Sequence, residues 1–282
     1  TFATPGTYRV SVEGIGCSLP FPIGEDVWTK AFYTSVRGLF HQRSGIALGP
    51  PYTPFVRPRG FHPDDGVKVY HTNYAPGPDG TGGGGGFKAI VAGKTDEIVP
   101  NAWGGYMDAG DWDRRPIHMY VPRLLLDLYD MAPEKLDTMS LNLPESDNKL
   151  PDLLDEAMWL IDFHMRTQTP DGGIRPGIES AEHPRRGEGS WQESLTVMAY
   201  APTANMSYKF AAAAAHAALV LRDKDPERAK KVEASAFKAF EWADQQKAKK
   251  VNESKNGNQA SIATKAMGNN GSQASKATKA KA

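Results

Sequence analysis

A chain of 282 residues, 40% of them hydrophobic, can form one large domain or two small ones around a sizeable core. Lys plus Arg and Asp plus Glu stand at 33 each, so no global charge favours a nucleic-acid or membrane partner, and the single Cys17 excludes an intrachain disulfide. The balance is uneven along the chain: residues 247–282 hold eight lysines against Glu253, a net of +7, which leaves −7 on residues 1–246 and argues against a polyanionic partner.

No apolar run approaches the roughly 20 residues of a membrane span, and the first residues lack the charged and apolar regions of a signal peptide. Tyr8, Val10 and Val12 alternate with Arg9, Ser11 and Glu13, the two-residue period of a half-buried strand, which ends at Gly14 and Gly16. From Asp26 to Arg43 the apolar residues Val27, Ala31, Val36, Leu39 and Phe40 recur at helical spacing. The same periodicity marks Ile117 to Met131, Leu153 to Gln168, Asn205 to Arg222 and Pro226 to Gln246, the last with proline in its first turn. Between the first two helices lies a loop of about seventy residues with the run Gly82 to Gly86; loops of that length are functional or disordered, and this one is expected to line a cleft. Five successive helices joined by polar, Gly- and Pro-rich loops predict an all-α architecture of helical hairpins. After Gln246 there are no aromatics and Lys, Ala, Ser, Asn and Gly dominate, so residues 247–282 are expected to be a low-complexity tail outside the core.

The residues richest in chemistry are Gly104 to Arg115, GGYMDAGDWDRR. Asp108 and Asp111 can converge on one small volume if the segment is a tight turn, because Gly110 admits backbone angles that other residues resist. Two such carboxylates can hold one water, one as general base and one orienting it. The same spacing also fits a solvated acidic turn, with Asp113 as N-cap and Pro116 in the first helical turn.

The segment resembles the catalytic-base motif of the family 9 glycoside hydrolases, usually written GGWYDAGD. Phe40 to Gly45 (FHQRSG) is similar to the family's FYxQRxG helix end, and Leu150 to Glu156 (LPDLLDE) to its IPDLLDE helix start. Gln168 to Gly173 (QTPDGG) resembles its MQxPDGG turn, and Ala201 to Ala214 (APTANMSYKFAAAA) its AP(T/D)xxxTxxFAAxxA helix. These five matches, in the family's order, cover roughly residues 8 to 246.

The resemblance implies an (α/α)6 barrel of twelve helices, of which this chain is expected to hold the first half as residues 22–246. Residues 1–21 are expected to be the end of an immunoglobulin-like domain and its linker, left without sheet partners. The implied activity is inverting hydrolysis of β-1,4-glucan, with Asp111 as general base and Asp108 as the partner that holds the water. The family's general acid is a glutamate far into the second half and no position here matches it; were one within this chain, Glu179, Glu182, Glu188 and Glu193 are the candidates.

His183, in Glu179 to Trp191 (ESAEHPRRGEGSW), roughly matches a family histidine that bonds the sugar, at a longer spacing to the tryptophan. Trp191, and with it Trp103 and Tyr106 beside the glycines, could offer flat apolar faces to a pyranose ring, while Trp159 and Trp242 sit at helical spacing and belong to the core. Arg114 and Arg115 could contact sugar hydroxyls or pair with a neighbouring aspartate, and Asp113 is expected to be a cap or an arginine partner.

Several family members carry zinc on two cysteines and histidines. Here Ser44 and Phe61 stand at the corresponding places, and His62 and His71 alone make a poor tetrahedral set, so no zinc and no cofactor are expected. Loop carboxylates leave calcium open, although the Asp108 to Asp113 run lacks EF-hand spacing. The family implies a secreted or periplasmic protein, and a monomer is expected. Two other readings stay open: a non-catalytic carbohydrate-binding module or decayed enzyme, and an exo-acting glycosidase of the same fold.

Overall fold

The computed structural model describes residues 3–77 and 86–249. Its first part is a folded-back ribbon: β1 (Gly6–Tyr8) pairs antiparallel with β4 (Phe21–Ile23), and β2 (Ser11–Val12) with β3 (Gly16–Cys17). The expected strand is therefore two short ones, and residues 6–23 are not without sheet partners; they supply each other's. Left-handed Gly14, φ +76, makes the reversal. Ile15 and Leu19 remain exposed, so backbone pairing rather than burial shapes this segment.

The body is helical. α1 (Thr29–Gln42) buries Val36 and Phe40 on one face, four residues apart as the sequence pattern requires. α3 (Tyr120–Met131) follows a 3-10 turn at Pro116–Met119 and buries Leu125, Leu126 and Tyr129. The short α4 (Pro133–Leu136) leads to α5 (Asp152–Thr167), which buries residues on almost every side. Around it pack α3 and α6 (Ala204–Leu221), whose Thr203 side chain caps the N-terminus by accepting from the Met206 N–H at 3.2 Å. A last helix, α7, runs over residues 226–249. Asp225 caps it, accepting from the Arg228 N–H at 3.0 Å, and Ala229, Val232, Ala236, Ala239 and Ala243 form its buried stripe. The helix passes the boundary expected at Gln246; the rest of the predicted tail, residues 250–282, lies outside the described residues.

The long segment after α1 is not one loop. It contains β5 (Val69–Thr72), α2 (Gly86–Ala92) and β6 (Lys94–Ile98), with Gly86 opening α2 and Gly82 to Gly85 outside the described residues. β5 pairs antiparallel with β6 and parallel with β8 (Val197–Ala199), which pairs antiparallel with β7 (Ile178–Ser180), in the order β6-β5-β8-β7. This small sheet is an addition to the expected helical architecture. Strands of three to five residues leave too little periodicity to detect, and the partner of β5 lies far along the chain.

Candidate active site

The Gly104 to Arg115 segment is laid against the end of α1. The Ser44 N–H donates to the Gly105 carbonyl at 2.9 Å and the Met107 N–H to the Gln42 carbonyl at 2.8 Å, which aligns Arg43 with Tyr106 as an isolated antiparallel bridge. Arg43 itself is buried and forms ion pairs with Glu145 and Glu156, each at 3.0 Å, with its guanidinium 4.4 Å from the Trp159 ring centre. Gly105 is left-handed, φ +72, and a Cβ there would stand 2.5 Å from Asp113 Oδ2. Only glycine fits both the angle and the space.

Asp113 is neither a helix cap nor an arginine partner. Buried at 1% exposure, it accepts from the Tyr106 N–H at 2.7 Å and meets His118 Nδ1 at 3.1 Å, while Arg115 takes the N-cap position before Pro116. Burial opposes the charge on His118, but the Asp113 carboxylate outweighs it and raises the imidazole above its usual range. The segment is therefore stapled to itself across the turn that carries Asp108 and Asp111.

That turn is tight: the Asp111 N–H donates to the Asp108 carbonyl at 3.1 Å and the two residues form an isolated antiparallel bridge. Its left-handed residue is Ala109, φ +63, rather than Gly110. A non-glycine residue in that region is strained, and such strain persists only where surrounding contacts over-determine it.

The two carboxylates experience opposite surroundings. Asp108 Oδ2 accepts from Arg114 Nε at 2.8 Å and from Arg115 Nε at 2.7 Å. Burial pushes Asp108 upward, but the two guanidiniums outweigh it and hold the carboxyl below the usual range. Asp111 is 9% exposed, and its Oδ1 has no hydrogen-bond partner. Burial raises its pKa, with the negative charges of Asp108 and Glu193 adding to the effect and Arg114 opposing it. One carboxylate is thus a fixed anion and the other a buried, unsatisfied proton acceptor.

Two further glutamates join them, neither among the predicted binding residues. Glu179 on β7 takes Arg114 Nη1 on its Oε2 and the Ser180 N–H on its Oε1 at 3.0 Å; burial pushes it up to about 7. Glu193 accepts from Trp112 Nε1 at 3.0 Å, and the Trp112 ring lies 4.4 Å from that of Phe61. Both stand in the sequence only as candidate acids; that Glu179 lies in a strand buried at all three positions, Ile178–Ser180, is a property of the fold.

His183 is exposed, edge-on to Phe87 of α2 at 4.7 Å and within electrostatic reach of Asp111. Trp191 is 47% exposed, and its backbone is pressed on Gly60, where a Cβ would come within 2.4 Å of the Ser190 carbonyl oxygen. The other two aromatic candidates already have partners. Tyr106 is 4% exposed, and its hydroxyl donates to Glu156 Oε1 at 2.7 Å, so its ring is core. Trp103 is already engaged, with the Arg166 guanidinium 4.1 Å and the His62 ring 4.5 Å from its ring centre. Arg115 bonds Asp108 while its side chain stays 29% exposed. Trp242 is core as expected, whereas Trp159 is only partly buried and donates to the Gly105 carbonyl at 2.8 Å.

Among the described residues no three His, Cys, Asp or Glu side chains group closely enough to hold a metal ion. Ser44 is buried, His62 Nδ1 accepts the Asp64 N–H at 3.2 Å, and His71 Nδ1 meets Arg175 Nη1 at 2.8 Å. No helix among the described residues is long and apolar enough to cross a membrane.

Residues 28–266 match the model of glycosyl hydrolase family 9, which extends past residue 246. Endoglucanase D of Acetivibrio thermocellus is 26% identical over 250 residues, covering 84% of this chain and 35% of that protein. A xyloglucan-specific endo-beta-1,4-glucanase, BoGH9A of Bacteroides ovatus, is 28% identical over 174 residues, covering 61% and 26%. The crystal structure of the family 9 endoglucanase J30 superposes with a TM-score of 0.66 at 25% identity, over 86% of this chain and 42% of that one. The chain thus spans between 24% and 35% of the length of the curated relatives it matches.

Proposed function

Because the chain belongs to glycosyl hydrolase family 9, we propose that it carries the general-base half of an inverting β-1,4-glucan hydrolase. Asp111 is the base and Asp108 the partner that orients the water. The observation that carries this reading is the opposed environment of two carboxylates in one tight turn: Asp108 is held ionised by Arg114 and Arg115, and Asp111 is buried with a bare oxygen. A hydrolytic base needs that asymmetry, because a proton acceptor works best with its pKa lifted toward the working pH while its neighbour stays charged. A non-catalytic binding module has no use for it.

In the complete protein Asp111 removes a proton from water on one face of the sugar while a glutamic acid outside this chain protonates the leaving oxygen on the other. The two carboxyl groups stand about 6.5–9.5 Å apart to admit that water. His183 and Trp191 flank the bound glucan, the first as a hydrogen-bonding group and the second as a platform. The helical body is part of an (α/α)6 barrel, residues 1–21 are the end of an immunoglobulin-like domain and its linker, and the protein is a secreted or periplasmic monomer that needs no cofactor.

In the complete protein Asp111→Asn removes the proton acceptor and keeps the shape. Turnover of a soluble cellulose derivative falls by about 10²–10⁴-fold or more, with oligosaccharide binding retained within a few-fold. Asp108→Asn is damaging but less absolute. Near wild-type turnover in Asp111→Asn rules the assignment out.

A further inference from the structure

Asp108, Arg114 and Glu179 form a chain in which the guanidinium is shared between two carboxylates. Arg59 takes both oxygens of Asp65 in a bidentate fork, with Nε and Nη2 each at 2.8 Å. Arg114 does not. It gives Nε to Asp108 Oδ2 and Nη1 to Glu179 Oε2, and Arg115 delivers its own Nε to the same Asp108 oxygen. Both cations therefore converge on Oδ2.

We propose that Glu179 is a positioning residue whose hold on Arg114 keeps Asp108 Oδ1 open for the water that Asp111 deprotonates. The inference rests on the proposed roles of Asp108 and Asp111. Glu179 and the strand that carries it are held in place. The Ser180 N–H bonds its other oxygen, the Ile178 N–H donates to the Asp113 carbonyl at 2.7 Å, and Gly177 lies so close that a Cβ would come within 2.2 Å of that carbonyl. β7 is thus fastened to the segment it serves. The Glu179 side chain is 4% exposed, so no solvent competes for Arg114 on that side. The charged and titratable groups facing it are Arg114 and Asp111 from the base segment and Tyr200 from the end of β8. Glu179 fixes the guanidinium through Nη1; released from it, Arg114 can turn and bring Nη2, the donor beside Nε, onto Asp108 and close the open oxygen.

The test is a ¹³C-carboxyl NMR titration of Asp108 in this chain, in the wild type, Glu179→Ala, Arg114→Ala and the double variant. Glu179→Ala is expected to lower the Asp108 midpoint by about one pH unit, as the freed guanidinium turns Nη2 onto it. In the Arg114→Ala background the same change moves the midpoint by less than about a third as much, because no donor is left to transfer. Equal shifts in both backgrounds, or none in either, overturn the proposal. If Glu179→Ala fails to fold, Glu179→Gln, which keeps the shape, shifts the midpoint in the same direction by a smaller amount, and an unmoved midpoint there overturns it equally. A cellotetraose titration of the same samples separates this inference from the functional reading. Coupling without binding supports the clasp and counts against the hydrolase, whereas binding without coupling removes the clasp alone.

Discussion

Arg43 and Glu156 form an ion pair, Nη2 to Oε2 at 3.0 Å, with both side chains at 0% exposure. The pair joins the end of α1 to α5, and Tyr106 of the base segment shares the same glutamate. A charge so buried is tolerated only while its partner remains, so the geometry of Asp108 and Asp111 depends on an electrostatic contact beneath them.

Arg43→Met is therefore expected to destabilise the chain by about 3–5 kcal/mol, since Glu156 would be left buried without its cation. Urea denaturation measures this. A loss under about 1 kcal/mol would show that protonation and the Tyr106 hydroxyl satisfy Glu156 without the arginine.

Gly105→Ala forces a Cβ into Asp113 and asks alanine to adopt φ +72. The expected cost is about 1–3 kcal/mol from strain, together with loss of the Tyr106 to Asp113 bond. The same variant should broaden or move the Asp108 and Asp111 amide signals in a ¹⁵N spectrum, and unchanged signals would detach the glycine from the site.

His164 is buried on α5, its Nδ1 has no partner, and burial depresses its pKa to about 4. Between that value and the usual 6.5 the unfolded chain binds the proton and the folded one does not. The stability this group contributes is therefore present above pH 6.5 and lost as pH falls toward 4, by about 3 kcal/mol. His164→Leu should flatten that part of the stability profile relative to wild type. Parallel profiles for the two proteins would contradict the assignment.

Trp191 is exposed, so its truncation should spare the fold and weaken the ligand. Trp191→Ala is expected to weaken cello-oligosaccharide binding by about 0.5–1.5 kcal/mol with an unchanged melting temperature. Calorimetry showing unchanged affinity would remove it from the site, and a lowered melting temperature would make it a packing residue.

What is local was legible from the chain. Helices α1, α3, α5, α6 and α7 announce themselves because a 3.6-residue repeat of apolar side chains is a property of neighbours, and the structure moves their ends by three residues or fewer. The Asp108 and Asp111 pair was legible for the same reason, since three residues and a turn suffice to bring them together. Tyr106 misled because an aromatic beside flexible glycines reads equally well as platform or core, and only the buried Glu156 carboxylate decides between them.

The rest depends on distant segments meeting. Nothing within residues 43–120 indicates that β5 will pair with β8, because the hydrogen bonds of a parallel pair are made across the chain and not along it. Glu179 reaches Arg114 only because that sheet sets β7 against the Asp113 carbonyl, and Glu193 reaches Trp112 from a loop far removed in sequence. The pKa directions of Asp108 and Asp111 are likewise tertiary: identical side chains three residues apart diverge because one meets two guanidiniums and the other is buried with a bare oxygen. Sequence determined which groups could do the chemistry, through short-range periodicity and spacing. Tertiary structure decided their charge and their partners, because desolvation and ion pairing depend on what the fold brings alongside each group.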